Sequence, residues 1–147
     1  MRWGRGRAVV GVVALVVAGA SLAGCAAQSG ASGSCAGTSI ELRDSSDLRP
    51  SGSVNLRVEW LYRICEDTGG TFRPSDDVTV TITPDATGRT VLLGRPTPSG
   101  PQFTVDGRFE LPDDLPPGEA VLGVHSHDGD GSGADLPVTI SASASEG

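Results

Sequence analysis

"DDVTVTITPD", residues 76–85, decides the fold class. Val78, Val80 and Ile82 alternate with Thr79, Thr81 and Thr83. A period of two belongs to an extended strand with one apolar and one polar face. Threonine suits the outward face, because its branched side chain packs on the pleat. The alternation recurs on both sides. Val54, Leu56, Val58, Trp60 and Tyr62 share one face of a segment whose other face holds Asn55, Arg57 and Glu59. Phe103 and Val105 make a short strand, Asp106-Gly107 a turn, and Phe109 and Leu111 the next strand. Ala120, Leu122 and Val124 alternate, as do Leu136, Val138 and Ile140, and Ile40 and Leu42 supply a first strand. Gly and Pro punctuate the gaps, among them Pro50, Gly69-Gly70, Pro84 and Pro116-Pro117-Gly118. No window of a dozen residues carries a helical stripe. The pattern predicts an all-β domain over residues 38–141, a single β-sandwich of about seven or eight antiparallel strands.

The N-terminal side has a different composition. Arg2, Arg5 and Arg7 precede a run from Ala8 to Ala20 made only of Ala, Val, Leu and Gly. A basic start, a short apolar core and small residues at its end predict a secretory signal over residues 1–24. The run is short for a membrane span, which needs about 20 apolar residues. Leu22-Ala23-Gly24-Cys25 then resembles the lipobox of bacterial lipoproteins. The resemblance implies that the Cys25 thiol takes a diacylglyceryl group and that the chain is cut before it. Cys25 is then the lipidation site, and two acyl chains suffice for stable anchoring where one is marginal. The expected location is the cell membrane, lipid-anchored, with the domain facing the extracytoplasmic side. Residues 25–37, CAAQSGASGSCAG, read as a tether of small polar residues, and 142–147 as a tail.

With Cys25 assigned to the anchor, Cys35 and Cys65 remain of the three cysteines. Outside the cytoplasm an even remainder reads as a disulfide. Closing that loop contributes about 3–4 kcal/mol on a chain-entropy argument. There is no C-x-x-C and no Cys/His cluster to suggest a redox or zinc role instead.

Beyond residue 24 the chain has eight arginines, no lysine and eighteen acids. So acidic a surface argues against nucleic acid and against lying flat on anionic lipid. It suits a domain held off a membrane, with a protein or an envelope polymer as partner. The stretch "GRFELPDDLPPGEAVLGVHSHDGDGSGADLPVTI", residues 107–140, resembles the last strands of bacterial immunoglobulin-like domains. There a Pro- and Gly-bearing turn precedes a strand, and a hairpin leads to the final one. The resemblance implies an immunoglobulin-like sandwich, with Trp60 as its buried core tryptophan. Trp60 stands five residues before Cys65, which departs from the antibody pattern of a tryptophan soon after the first cysteine.

Enzyme motifs are scarce. There is no G-x-S-x-G, H-E-x-x-H, P-loop or dinucleotide fingerprint. Asp76-Asp77 and Asp113-Asp114 are neighbours in loops and read as solvated turns. Asp67-Thr68-Gly69, followed by "VLLGRP" at 91–96, resembles the catalytic set of retroviral-type aspartic proteases. That chemistry needs two Asp67 carboxyls sharing a proton across a dimer. The stretch between Gly69 and Gly94 leaves little room for a flap. The chain is expected not to be an enzyme and to need no cofactor, with the protease a remote alternative.

The densest polar cluster is "VHSHDGDGSGAD", residues 124–135. Its simplest reading is a hairpin loop whose glycines allow tight turning and whose acids stay solvated. Its functional alternative is a metal site. His125 and His127 share a face if the strand continues, and imidazole suits zinc or copper. Asp128, Asp130, Ser132 and Gly133 match the opening of a calcium loop, but Thr139 stands where the bidentate Glu belongs. Asp135 offers one further oxygen.

Overall fold

The computed structural model describes residues 37–65 and 72–143. The chain divides into two units, Met1–Ala31 and Ser32–Gly147, and all described residues belong to the second. These are all β or irregular, and no helix among them is long and apolar enough to cross a membrane. The signal segment, Cys25, Cys35 and Asp67 fall outside them.

Nine strands are present among the described residues: β1 Ile40–Leu42, β2 Ser53–Val58, β3 Tyr62–Ile64, β4 Arg73–Pro74, β5 Val78–Pro84, β6 Val91–Gly94, β7 Val105–Glu110, β8 Gly118–Ser126 and β9 Gly133–Ile140. One sheet has the order β1-β2-β7 and another the order β6-β5-β8-β9, while β3 and β4 form a separate ribbon. All pairs are antiparallel.

The opening stretch is the inner strand of the four-stranded sheet. Val78, Val80 and Ile82 pair with Ser126, Val124 and Leu122, and these six side chains are buried. Across the core, β2 offers Val54, Leu56 and Val58, each fully buried, so one apolar cluster is shared by both sheets. A buried Val, Leu or Ile contributes about 1.5–3 kcal/mol. Pro137 lies in β9, an edge strand, where its missing N–H breaks no inner ladder.

Two sequence expectations are corrected by the structure. Asp106-Gly107 is not a turn: it lies inside β7, opposite Arg57 and Leu56. Charge across the strands favours this, since Arg43 donates to Asp106 at 2.8 Å and Arg57 at 3.4 Å. Gly107 also leaves room for the Phe109 ring, which continues over Gly94 of β6. The turn sits earlier, at Ser99–Thr104, closed by reciprocal backbone bonds of 2.9 and 2.8 Å, and Phe103 belongs to it.

The second correction concerns Trp60, which is not the core tryptophan. β2 ends at Val58, and Trp60 takes a left-handed backbone with φ of 65°. Leu61 enters the core in its place and is fully buried, while Trp60 and Tyr62 are half-buried. The strand count exceeds seven or eight because the β3–β4 ribbon is added between β2 and β5.

Candidate functional site

The 124–135 stretch is the β8–β9 hairpin, and its loop is bonded on every side. Ser126 N–H donates to the Ser132 carbonyl at 2.7 Å, which closes the hairpin. His127 N–H reaches the Asp77 carbonyl at 2.9 Å, and Asp130 N–H the Arg63 carbonyl at 2.8 Å. In return Cys65 N–H donates to Asp130 Oδ2 at 3.2 Å, and the Ser132 hydroxyl to the Tyr62 carbonyl at 3.2 Å. The loop thus acts as a further partner for β3. Gly129 makes the close approach possible: its φ is +61°, and a Cβ there would lie 1.9 Å from the Arg63 carbonyl oxygen.

Asp128 is the centre of the network. Its Oδ1 accepts from the Ser75 hydroxyl and lies 2.9 Å from the Ser126 hydroxyl, and its Oδ2 accepts from Asp76 N–H at 2.9 Å. Ser75 and Ser126 are themselves buried. Desolvation pushes the Asp128 carboxyl up. The hydrogen bonds from Ser75, Asp76 N–H, Ser126 and its own N–H outweigh that, and its pKa falls from 3.8 to about 2. It is a structural carboxylate, ionised at all ordinary pH.

The two histidines are engaged separately. His125 Nε2 lies 2.8 Å from Asp135 Oδ1, an exposed pair on the outer face of the sheet. His127 Nε2 lies 2.7 Å from the Thr79 hydroxyl, which leaves Thr79 only 7% exposed. The structure therefore does not bring His125, His127, Asp128, Asp130 and Asp135 together. Among the described residues no group of three His, Cys, Asp or Glu is placed to hold a metal ion. Asp128 is filled by the Ser75 and Ser126 hydroxyls and Asp76 N–H, Asp130 is held on Cys65 N–H at 3.2 Å, and the histidines are engaged by Asp135 and Thr79. Thr139 donates to Glu119 at 3.0 Å within the sheet and takes no part in the loop.

Cys65 follows β3 and is disulfide-bonded. Cys25 and Cys35, and with them the lipidation site, lie outside the described residues, as does Asp67. "VLLG" at 91–94 is β6, an edge strand of the larger sheet.

A feature that period counting missed lies at the Trp60 corner. An open groove of about 160 Å³ is lined by Gly37, Ser39, Glu41, Arg57, Glu59 and Trp60. The backbone there is held firmly. Trp60 N–H donates to the Gln102 carbonyl at 2.7 Å, Leu61 N–H to the Phe103 carbonyl at 3.2 Å, and Thr38 to the Trp60 carbonyl at 3.4 Å. The left-handed conformation costs an L-residue about 1–2 kcal/mol. Its effect is to take an indole off the core face and set it beside charge. Arg57 is bonded to Glu59, with its Nε at 3.0 Å, and to Asp106; both acids hold its pKa above the ordinary value against desolvation. Among the described residues nothing bonds the Trp60 indole N–H or the Ser39 hydroxyl, and Glu41 has only Arg43, at 3.9 Å. No sequence signal marks this site, because strict alternation assigns Trp60 to the core.

No protein-family model, curated protein or solved structure matches the chain.

Proposed function

We propose that the chain is a lipid-anchored extracytoplasmic module that binds a partner or spaces it from the membrane, and that it is not an enzyme. The observation that carries the reading is Leu22-Ala23-Gly24-Cys25 at the end of a basic and apolar leader, ahead of an acidic all-β domain. On this reading Cys25 carries the lipid, residues 25–37 form the tether, and Cys35 is the partner of Cys65. That disulfide would pin the tether to β3, the strand that the 126–132 loop also grips.

The strand order supports an immunoglobulin-like sandwich. Taken as A, B and E on one sheet, β1-β2-β7 leaves β6-β5-β8-β9 as C′, C, F and G. The β3–β4 ribbon is then an insertion between B and C. Such domains present loops and sheet corners to partners on a rigid frame.

Replacing Cys25→Ser tests the reading. In a bacterial host the wild-type chain is expected in the membrane fraction, and the variant released or left uncleaved. A variant that is cut and retained like the wild type would end the lipoprotein reading.

A further inference from the structure

We propose that the outer end of the β3–β4 ribbon, at Phe72 and Arg73, docks on the lipid surface that holds the anchor, so that the domain stands end-on to the membrane. This rests on the lipid-anchored reading above and gives the module an orientation.

The base of the ribbon is in the core. Leu61 is fully buried, and Ser75 N–H donates to its carbonyl at 2.9 Å. Tyr62 then pairs with Pro74 and Ile64 with Arg73, which leaves Cys65 and Phe72 at the outer end. The 126–132 loop holds the ribbon in place through Tyr62, Arg63 and Cys65. Phe72 is 49% exposed, and Leu92 is the other exposed large hydrophobic among the described residues. Arg63 is matched by Asp76 at 3.5 Å and Asp128 at 3.9 Å, but Arg73 has no ion pair among the described residues. A phenyl ring can enter the boundary between headgroups and acyl chains. A guanidinium beside it can donate to lipid phosphate.

The chain leads this end to the lipid. Cys65 is disulfide-bonded. With Cys25 in the thioether its partner is Cys35, ten residues from the anchor. Ten residues span at most about 33–36 Å, and about 16–19 Å as a Gly- and Ser-rich coil. The domain is also entered at this end. Ile40 pairs with Val58, the last residue of β2 before the ribbon, and Thr38 donates to the Trp60 carbonyl at 3.4 Å.

Charge sets the same orientation. The opposite end lies where β1 stops, β5 stops and β8 begins. There Asp44, Asp85, Asp113, Asp114 and Glu119 have no ion pair among the described residues, against Arg89 as the one unpaired cation. An anionic leaflet repels that end. Glu66 and Asp67, between Cys65 and Phe72 in sequence, offset Arg73. The contact itself therefore comes from the Phe72 ring, and Arg73 tunes it.

The test uses the full chain purified from bacterial membranes and reconstituted in vesicles of phosphatidylcholine and phosphatidylglycerol with brominated acyl chains. Beyond residue 24 the chain has Trp60 as its only tryptophan, so the wild type gives the baseline. Bromine should quench the added emission of Phe72→Trp and leave that of Leu92→Trp unquenched. Adding Arg73→Gln to Phe72→Trp should lower the docked-to-undocked ratio about fivefold, the effect of one charge near an anionic surface. Thermal melts check that each variant folds. Equal quenching in Phe72→Trp and Leu92→Trp, no quenching in Phe72→Trp, or a ratio indifferent to Arg73→Gln overturns the proposal. The intact mass of the same sample reports the anchor. A lipidated chain without quenching overturns the docking alone, and a chain without lipid mass overturns both readings.

Discussion

At the 126–132 loop the side chains are committed to neighbouring elements. Asp128 takes bonds from Ser75, Ser126 and Asp76, and Asp130 takes one from Cys65. At the Trp60 corner the reverse holds: the backbone is committed and the indole is left over. The first region is rich in residues that ligate metals, and the second has one aromatic among ordinary strand residues. A polar cluster whose lone pairs are filled by the protein's own donors is a brace, because a new ligand would have to displace bonds already made. At Trp60 the backbone bonds impose a left-handed conformation that costs stability, and the core position passes to Leu61.

The largest effect should come from denying the loop its seat on β3. Gly129→Ala combines a left-handed backbone with a Cβ 1.9 Å from the Arg63 carbonyl oxygen, and no flexible side chain can yield there. We expect a loss of about 2–3 kcal/mol, a fall in Tm of about 10–20 °C. An unchanged Tm would mean that the loop is not braced as described.

Asp128→Ala leaves the Ser75 and Ser126 hydroxyls and Asp76 N–H without their acceptor, at about 1–3 kcal/mol. The pH dependence is specific. Because folding lowers the Asp128 pKa from 3.8 to about 2, its stabilisation is complete above pH 4 and is lost as pH falls through about 2. Allowing for its partial exposure, the amount is about 1–2 kcal/mol. Urea midpoints at several pH values should show this decline in the wild type and a shallower one in Asp128→Asn. Equal slopes would remove Asp128 from the centre of the network.

Gly94→Ala sharpens the comparison away from both corners. Its Cβ would come within 2.9 Å of two Phe109 ring atoms, and the ring can shift, so we expect about 1 kcal/mol. The smallest effect belongs to His125→Ala. His125 and Asp135 form an exposed pair, and such pairs contribute about 0–1 kcal/mol. A Tm change of several degrees there would show that the outer face does more than the geometry assigns.

Much of the fold was legible because burial enforces a period of two. Val78, Val80 and Ile82 read as one buried face and are one. The pattern failed where a tertiary partner overrode a local preference. Asp106-Gly107 has turn chemistry, yet β2 offers it a ladder and Arg57, Arg43 beyond the end of β1 adds a second donor, and the strand runs on. Trp60 continues the alternation in sequence, but a single left-handed residue shifts it by one position and gives the core to Leu61. Neither event has a one-residue signal. The 124–135 cluster was legible as a hairpin, and local turn chemistry leaves its acids solvated. Apart from Ser126, two residues before Asp128, the donors come from Ser75, Asp76 and Cys65, about fifty to sixty-five residues away in sequence, where no local pattern reaches.

The proposed lipid anchor rests on the sequence alone, on four residues ending at Cys25. Intact-mass analysis of the chain purified from bacterial membranes tests it most directly. The expected product is a chain that begins at Cys25 and is heavier than residues 25–147 by a diacylglyceryl group. A chain that retains residues 1–24, or one that begins elsewhere without lipid mass, would contradict the lipoprotein reading.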